Sequence, residues 1–470
     1  MIKKVIFLFL LISSMLYCMD GVDEVRLFKE GLGAVCKAGK WGFVNKEGKI
    51  VIPIKYDAVI DFSEGLCGVK NRQNKWKYID KTGKDITMPI YDDVSAFKDG
   101  LARVWKDDKY GYIGKDGKEK TRFYTMIFNY KEDVAVANQG GEINEDGNVS
   151  GGNFFYIDKE GKRLSEKTYD DCYDFSNGIG MYKSGNKYGF VDKTGKEITT
   201  AIFTSAKDFT EEGVAAVEFL GKWGYIDKTG KPVIAPKFDY GFSFFSGVAS
   251  VGKGVKIDND TGDIYEGKFR LIDKTGKYLS KEYDMIYDNS KGVNIVKLEG
   301  RYSLINETGK EITPLDYTMI YEETEGVFSA QKYDGVILKE GYIDKTGKEV
   351  IPFIYDEAFS FEGGSAVVRY EDGYGLINKK GESLINKKHE KITYTEDRQY
   401  LITLDGEEYD ENGETINPGY CGLIDKSGKT ILEPKYDSVY GMSEGIAAVS
   451  KNGKSWYVYE DGKEMNCIIK

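Results

Sequence analysis

Hydrolases and metal centres lean on histidine, and this chain has one, His389, in 470 residues. Any Ser-His-Asp or Cys-His machinery would rest on it alone, and a histidine-rich metal site is excluded. His389 sits in Lys-Lys-His-Glu-Lys-Ile, a degenerate copy of a recurring Tyr-Asp segment, so it reads as a replacement for the tyrosine. Carboxylates are abundant, but they recur with the Tyr-Asp and Asp-Lys pairs. A glycosidase needs one special pair within about 10 Å, and none breaks the repetition. Two acidic stretches, Asp258-Asn-Asp260-Thr-Gly262-Asp263 and Asn144-Glu-Asp146-Gly147, resemble calcium loops. The glycine is misplaced for an EF-hand and no bidentate glutamate follows, so both read as polar hairpin tips. Glycines sit in hairpins rather than ahead of helices, so they form no phosphate-cradling loop. No catalytic, cofactor-binding or metal-ligating residue is assigned, and no cofactor is expected.

The glycines instead mark a period. A turn of the form Asp/Asn-Lys-x-Gly-Lys places its glycine at Gly48, Gly83, Gly117, Gly161, Gly195, Gly230, Gly276, Gly309, Gly347, Gly381, Gly428 and Gly462. The base interval is about 34 residues, with four longer spacings, and such a period makes the chain a tandem-repeat array. Each copy has an aromatic-Gly-aromatic run ahead of the turn, exemplified by Trp41-Gly42, Tyr110-Gly111, Tyr188-Gly189, Trp223-Gly224 and Tyr374-Gly375. Trp76 holds the aromatic position but is followed by Lys77, Phe269 by Arg270 and Tyr302 by Ser303; Glu340 and Cys421 replace the aromatic altogether. A short aliphatic run follows the turn. Then comes Tyr-Asp, with a glycine nine residues after the tyrosine, as in Tyr56 to Gly65 and Tyr436 to Gly445, and a third apolar run after that.

These runs are four to six residues long, rich in aromatic and β-branched side chains, and bounded by Gly and Asp. They read as strands. The turn suits a hairpin whose glycine takes positive φ and whose leading Asp or Asn accepts backbone amides. Lettering the run after the Tyr-Asp segment a, the Trp-Gly run b and the run after the turn c, each unit is a three-stranded meander. Trp-Gly-Tyr-Ile-Asp-Lys-Thr-Gly-Lys, a Val-Ile-Pro-x-x-Tyr-Asp-like run and Phe-x-x-Gly-Leu-Ala-x-Val together resemble the bacterial WG-containing repeat family. The resemblance implies repeated β units over nearly the whole chain and carries no common catalytic activity.

Two lysines and a short apolar run, Val5 to Leu11, read as a secretory signal over residues 1–18. Cys18 offers a lipid anchor, although Tyr17 stands where a lipobox takes a small residue. The repeat array is expected over residues 24–470. Beyond Cys18 the cysteines are Cys36, Cys67, Cys172, Cys421 and Cys467. Their odd number and scattered repeat positions do not make a disulfide framework; Cys36 and Cys67, in adjacent units, are the one local pair to weigh. The net charge of −11, or −13 without the leader lysines, gives no basic stripe for a nucleic-acid backbone.

A single meander cannot bury its apolar face alone, so units must stack. The aromatics of the Trp-Gly position and the phenylalanines Phe62, Phe97, Phe175, Phe209 and Phe244 are therefore expected in the core, with the glycine admitting a neighbouring backbone or ring. An all-β array of about twelve units is expected as an open, curved stack. One or two propeller-like rings are the alternative, because ordinary propellers hold about 4–8 blades. The extra residues of the long intervals fall between Ala137 and Asn153, Val251 and Lys268, Ala330 and Glu340, and Leu404 and Gly419. All four lie between strands a and b, and so on one edge of the array. That edge is either a binding side or a hairpin tolerant of growth. The expected function is a non-enzymatic, exported or envelope-associated scaffold with a protein partner. Glycan binding, suggested by 35 tyrosines and 24 phenylalanines, is the alternative, and a hydrolase the least supported. No nucleic-acid partner is expected, and a membrane only through a lipid on Cys18.

Overall fold

The computed structural model describes residues 22–258, 261–287, 292–333, 335–385, 388–396, 398, 400–409 and 415–465. The leader with Cys18, and Cys467, lie outside the described residues. The described residues are all-β, with twelve small antiparallel sheets in tandem and one added two-stranded hairpin, Glu142–Ile143 with Val149–Ser150. The first unit is a complete example, running Glu24–Val25, Leu32–Lys37, Lys40–Asn45 and Ile50–Tyr56 in consecutive order. The last three are strands a, b and c. The first is a short leading strand that pairs with strand a, Val25 opposite Val35. The three-stranded expectation thus gains one edge, because residues just after Tyr-Asp can reach the next a strand.

Among the described residues, strand c is a full strand in units 1, 5, 6, 9 and 11. In unit 1, Trp41 pairs with Tyr56 and Phe43 with Ile52, so three b residues face five on strand c. The two extra residues bulge across Gly42. A Cβ there would stand 2.6 Å from the Ile52 carbonyl oxygen and 2.7 Å from the Ile54 nitrogen. Gly224 meets the Ile234 carbonyl oxygen at 2.5 Å and Gly422 that of Leu432 at 2.7 Å. Where Lys77, Arg270 or Ser303 replaces the glycine, strand c shrinks to isolated bridges such as Trp76 with Tyr91. Units 3 and 10 keep Gly111 and Gly375 yet also make bridges only.

Each sheet is apolar on both faces, so each core lies between two units. Trp41, Phe43 and Ile52 of unit 1 pack with Phe62, Cys67 and Val69 of unit 2. Aromatic edge contacts repeat the arrangement: Phe43 on Phe62, Tyr78 on Phe97, Tyr225 on Phe244, Tyr342 on Phe361. The first and last units share a core as well. Val25, Phe28, Val35 and Val44 pack with Ile446, Ala448, Tyr457 and Met465, and Val22 forms a β-bridge with Ser455. The stack therefore closes into a ring of twelve face-to-face sheets, correcting the open arrangement in favour of its alternative. Closure follows from the two-sided sheets, since an open stack would leave one apolar face of unit 1 and one of unit 12 in water. Each large side chain so buried contributes about 1.5–3 kcal/mol.

Candidate binding rim

The a–b hairpins of neighbouring units lie together at one end of the sheets, and the Asp-Lys-x-Gly turns at the other. At the turn end all twelve turn glycines have φ between 74° and 84°. The leading Asp closes the turn: Asp80 accepts the amides of Thr82 at 2.9 Å and Lys84 at 3.0 Å and the Thr82 hydroxyl at 2.6 Å. A second device joins units here. The Glu30 carboxylate accepts the Gly65 amide at 2.9 Å and pairs with Lys81 at 3.0 Å, both in the next unit. Glu64, Glu132, Glu212, Glu325 and Glu444 repeat it with Gly100, Gly178, Gly247, Gly364 and Gly31. Burial opposes ionisation at Glu30, but the Lys81 and Gly65 bonds outweigh it and hold its carboxyl below the usual range. The same balance lowers Glu325 and Glu444.

At the hairpin end the Asp of Tyr-Asp reaches across to other strands and units. Asp92 accepts the amide of Asp107, fifteen residues on, at 3.1 Å, and pairs with Lys75 of the preceding unit. Asp57 pairs with Lys40, Asp239 with Lys222, and Asp356 with Lys339 at 2.6 Å. These carboxylates hold units together, and the lysines beside them are neutralised. Above this ladder rise the four lengthened hairpins. Unit 4 carries the extra hairpin. Unit 7 extends its strands to Val248–Ile257 and Ile264–Asp273, unit 9 to Val327–Tyr333 and Leu338–Asp344, and unit 11 to Tyr400–Tyr409 and Thr415–Asp425. Apolar side chains stand exposed on them: Ile143, Ile257, Tyr265, Tyr333, Val336 and Ile337.

The repeat profile of WG-containing repeats matches residues 22–41, 41–76, 78–110, 154–188, 188–223, 223–256, 269–302, 302–335, 341–373 and 422–454. The chain belongs to the WG-containing repeat family. No curated protein matches it. Among solved structures, this WG-repeat chain is similar to a eukaryotic initiation factor, at 8% identity over 81% of this chain and 98% of that one, TM-score 0.35. It is similar also to BamB from Moraxella catarrhalis, at 12% identity over 69% and 92%, TM-score 0.27. The extracellular domain of a hybrid two-component system from B. thetaiotaomicron matches at 9% identity over 92% and 68%, TM-score 0.20. Likenesses at these scores carry no argument about this chain.

The WG positions themselves are core. Trp41, Trp76 and Trp223 are buried, while Tyr110, Tyr188 and Tyr374 are half-buried. Basic side chains cover the rings, Arg26 over Trp41 at 4.5 Å and Lys70 over Trp76 at 5.7 Å. His389 is buried where other units have the tyrosine. Its Nδ1 lies 2.9 Å from Asp405 Oδ2, and its backbone bridges to Tyr374. The Asp258 stretch is a hairpin tip, with the Asp258 amide donating to the Asp263 carbonyl at 2.8 Å; Asp260 lies outside the described residues. Asn144 closes its tip as Asp80 does, accepting the Asn148 amide at 2.8 Å. Cys36 and Cys67 share the core between units 1 and 2 as free thiols, and burial pushes the Cys67 thiol up. Sequence reasoning missed the inter-unit glutamates. Their signal was present, since a Glu directly precedes the glycine ahead of strand a in Glu30-Gly31, Glu64-Gly65, Glu212-Gly213, Glu325-Gly326 and Glu444-Gly445.

Proposed function

We propose that this WG-repeat chain is a non-enzymatic binding scaffold for proteins, exported by its leader, with the hairpin rim as its working edge. The observation that carries this reading is that the four lengthened hairpins extend from one end of the sheets and, in units 4, 7 and 9, carry apolar side chains exposed to water. Surface-exposed apolar side chains gathered on one side mark interaction sites more often than chance ones do. Insertions on one face of a repeat array have the same meaning. A non-enzymatic role is supported by the carboxylates, which recur in ladders and spend their lone pairs on amides and lysines. The export reading rests on the lysines and apolar run at the start of the chain.

The test is a pull-down from envelope extract with the full chain and with a version whose four hairpins are cut to tight Asn-Gly turns. Specific proteins held only by the full chain support the scaffold and its edge. Equal capture by both forms rejects that edge. A glycan reading is favoured by a second observation. The third position counted from the start of the leading strand is aromatic and exposed in several units, at Phe128, Tyr287, Tyr321, Phe359 and Tyr440. Such rings can stack on sugars, and wall polysaccharide would then shift the intrinsic fluorescence of both forms equally.

A further inference from the structure

The lengthened hairpins differ from the rest of the chain in charge. Residues 138–152 carry three net negative charges, 252–267 two and 405–418 six, against one net positive in 331–339. Ten of the chain's eleven net negative charges thus fall in these four insertions. Several lysines of the same rim are already held by acids. Lys222, Lys339, Lys256 and Lys332 are paired with Asp239, Asp356, Glu266 and Glu349.

Apolar tips stand on the same rim. Val336 is 86% exposed, beside exposed Ile337 and Leu338. Leu220, in the tight a–b turn of unit 6, is 84% exposed and has φ 52°. Of the described non-glycine residues with positive φ, it is the only large apolar one. Asn, Asp and Gly take that conformation far more readily, and hairpin turns of this kind select them. A leucine here serves neither the turn nor solubility, which leaves contact with something else as its use.

We infer that the hairpin rim takes a cationic protein surface, rich in lysine or arginine with apolar side chains between them. The inference rests on the scaffold reading and names its partner class. Concentrated acidic charge steers an oppositely charged partner and fixes its register, while the tips supply apolar anchors of the kind that dominate interfaces. An anionic lipid surface would be repelled by the same charge.

The experiment uses the full chain and three synthetic probes: a mixed lysine-leucine peptide, its glutamine-leucine analogue, and polylysine. Binding is read by fluorescence anisotropy at low and high salt. The lysine-leucine peptide should bind, and rim charges should make its affinity fall with salt. The variant Glu142→Gln, Glu145→Gln, Asp146→Asn, Asp263→Asn should bind it about tenfold more weakly, as should Leu220→Asn, Val336→Ser, Ile337→Ser. All seven positions are exposed, and circular dichroism checks that the fold is kept. Equal binding of the glutamine analogue, or undiminished affinity in the charge variant, overturns the cationic partner. Equal binding of polylysine overturns the apolar anchors. Binding to phosphatidylglycerol vesicles that the peptide does not displace assigns the rim to lipid and overturns the inference. Proteins captured only with intact hairpins, but acidic and indifferent to salt, would leave the scaffold standing and this inference fallen. Capture indifferent to the hairpins would reject the scaffold's edge itself.

Discussion

The Glu444 carboxylate accepts the backbone amide of Gly31 at 3.0 Å, across 413 residues of chain. Lys46 completes the contact at 2.9 Å from Glu444. It is the bond that Glu30 makes with Gly65 and Lys81, or Glu64 with Gly100, between neighbours in sequence. The seam between the last unit and the first is thus built like the other joints, with one difference: no peptide bond crosses it.

That difference predicts how the ring opens. The Tyr457 hydroxyl donates to the Arg26 carbonyl at 2.6 Å and the Ala34 carbonyl at 2.8 Å, and its ring meets Phe28 edge-on at 4.8 Å. Tyr457→Ala should cost about 3–5 kcal/mol at the seam, and Tyr457→Phe about 1 kcal/mol. Tyr225→Ala removes the matching group between units 6 and 7, where the chain still ties the units. Small-angle scattering should show a larger radius of gyration for Tyr457→Ala than for Tyr225→Ala. Equal radii would mean the seam is no weaker than an inner joint.

Strand c depends on the glycine it crosses. Gly224→Ala puts a methyl group 2.5 Å from the Ile234 carbonyl oxygen, which is backbone and cannot swing away. The expected loss is about 1–3 kcal/mol, together with faster amide exchange across Pro232–Phe238. Gly111→Ala meets only the Phe123 ring, at 3.1 Å, and should cost less. Denaturant titration of the two variants separates them.

Acid should loosen the turn-end ladder. Glu30, Glu132, Glu325 and Glu444 have carboxyls held below their ordinary value of 4.5. Burial opposes the shift, and bonds from the next unit's amides and lysines overcome it. A lowered folded value means stability that is fully present above pH 4.5 and lost as pH falls through the lowered value. Thermal melts should therefore drop on acidification below that point. The fourfold Glu→Gln variant should start lower at neutral pH and show a shallower drop. A parallel fall in both proteins would place the acid sensitivity elsewhere.

Glu340 has the opposite sign. It takes the aromatic position of unit 9 and is buried. It accepts the Ala358 amide at 2.7 Å and a Gln331 side-chain N–H at 3.1 Å, with the Tyr321 hydroxyl at 3.4 Å. Burial pushes its carboxyl up, and those three hydrogen bonds only partly counter it. The ionised form is then a penalty, absent below the ordinary value of 4.5 and complete once pH has risen through the raised one. Glu340→Gln removes that penalty and keeps the contacts once the Gln331 amide turns its oxygen toward the new NH2 group. The gain in melting temperature over the parent should be larger at pH 8 than at pH 4. A gain independent of pH would show that the carboxylate carries no such penalty.

The sequence by itself determined the unit. A glycine that must take positive φ, an Asp or Asn to close the turn, and aromatic runs of strand length are local demands. They recur twelve times, so turn, strand and core positions could be read from Trp41-Gly42 or Asp80-Gly83 directly. The placement of the four insertions between strands a and b was legible for the same reason. What only the tertiary structure decided are the contacts made between units. Glu30 reaching Gly65, Asp92 reaching Asp107 and strand c bulging over Gly42 each join groups that no local pattern brings together. Closure was hidden most deeply. Whether the twelfth sheet meets the first depends on a small rotation repeated at every joint, and no single residue encodes that sum. It becomes visible only where Tyr457 lies against Phe28 and Glu444 against Gly31.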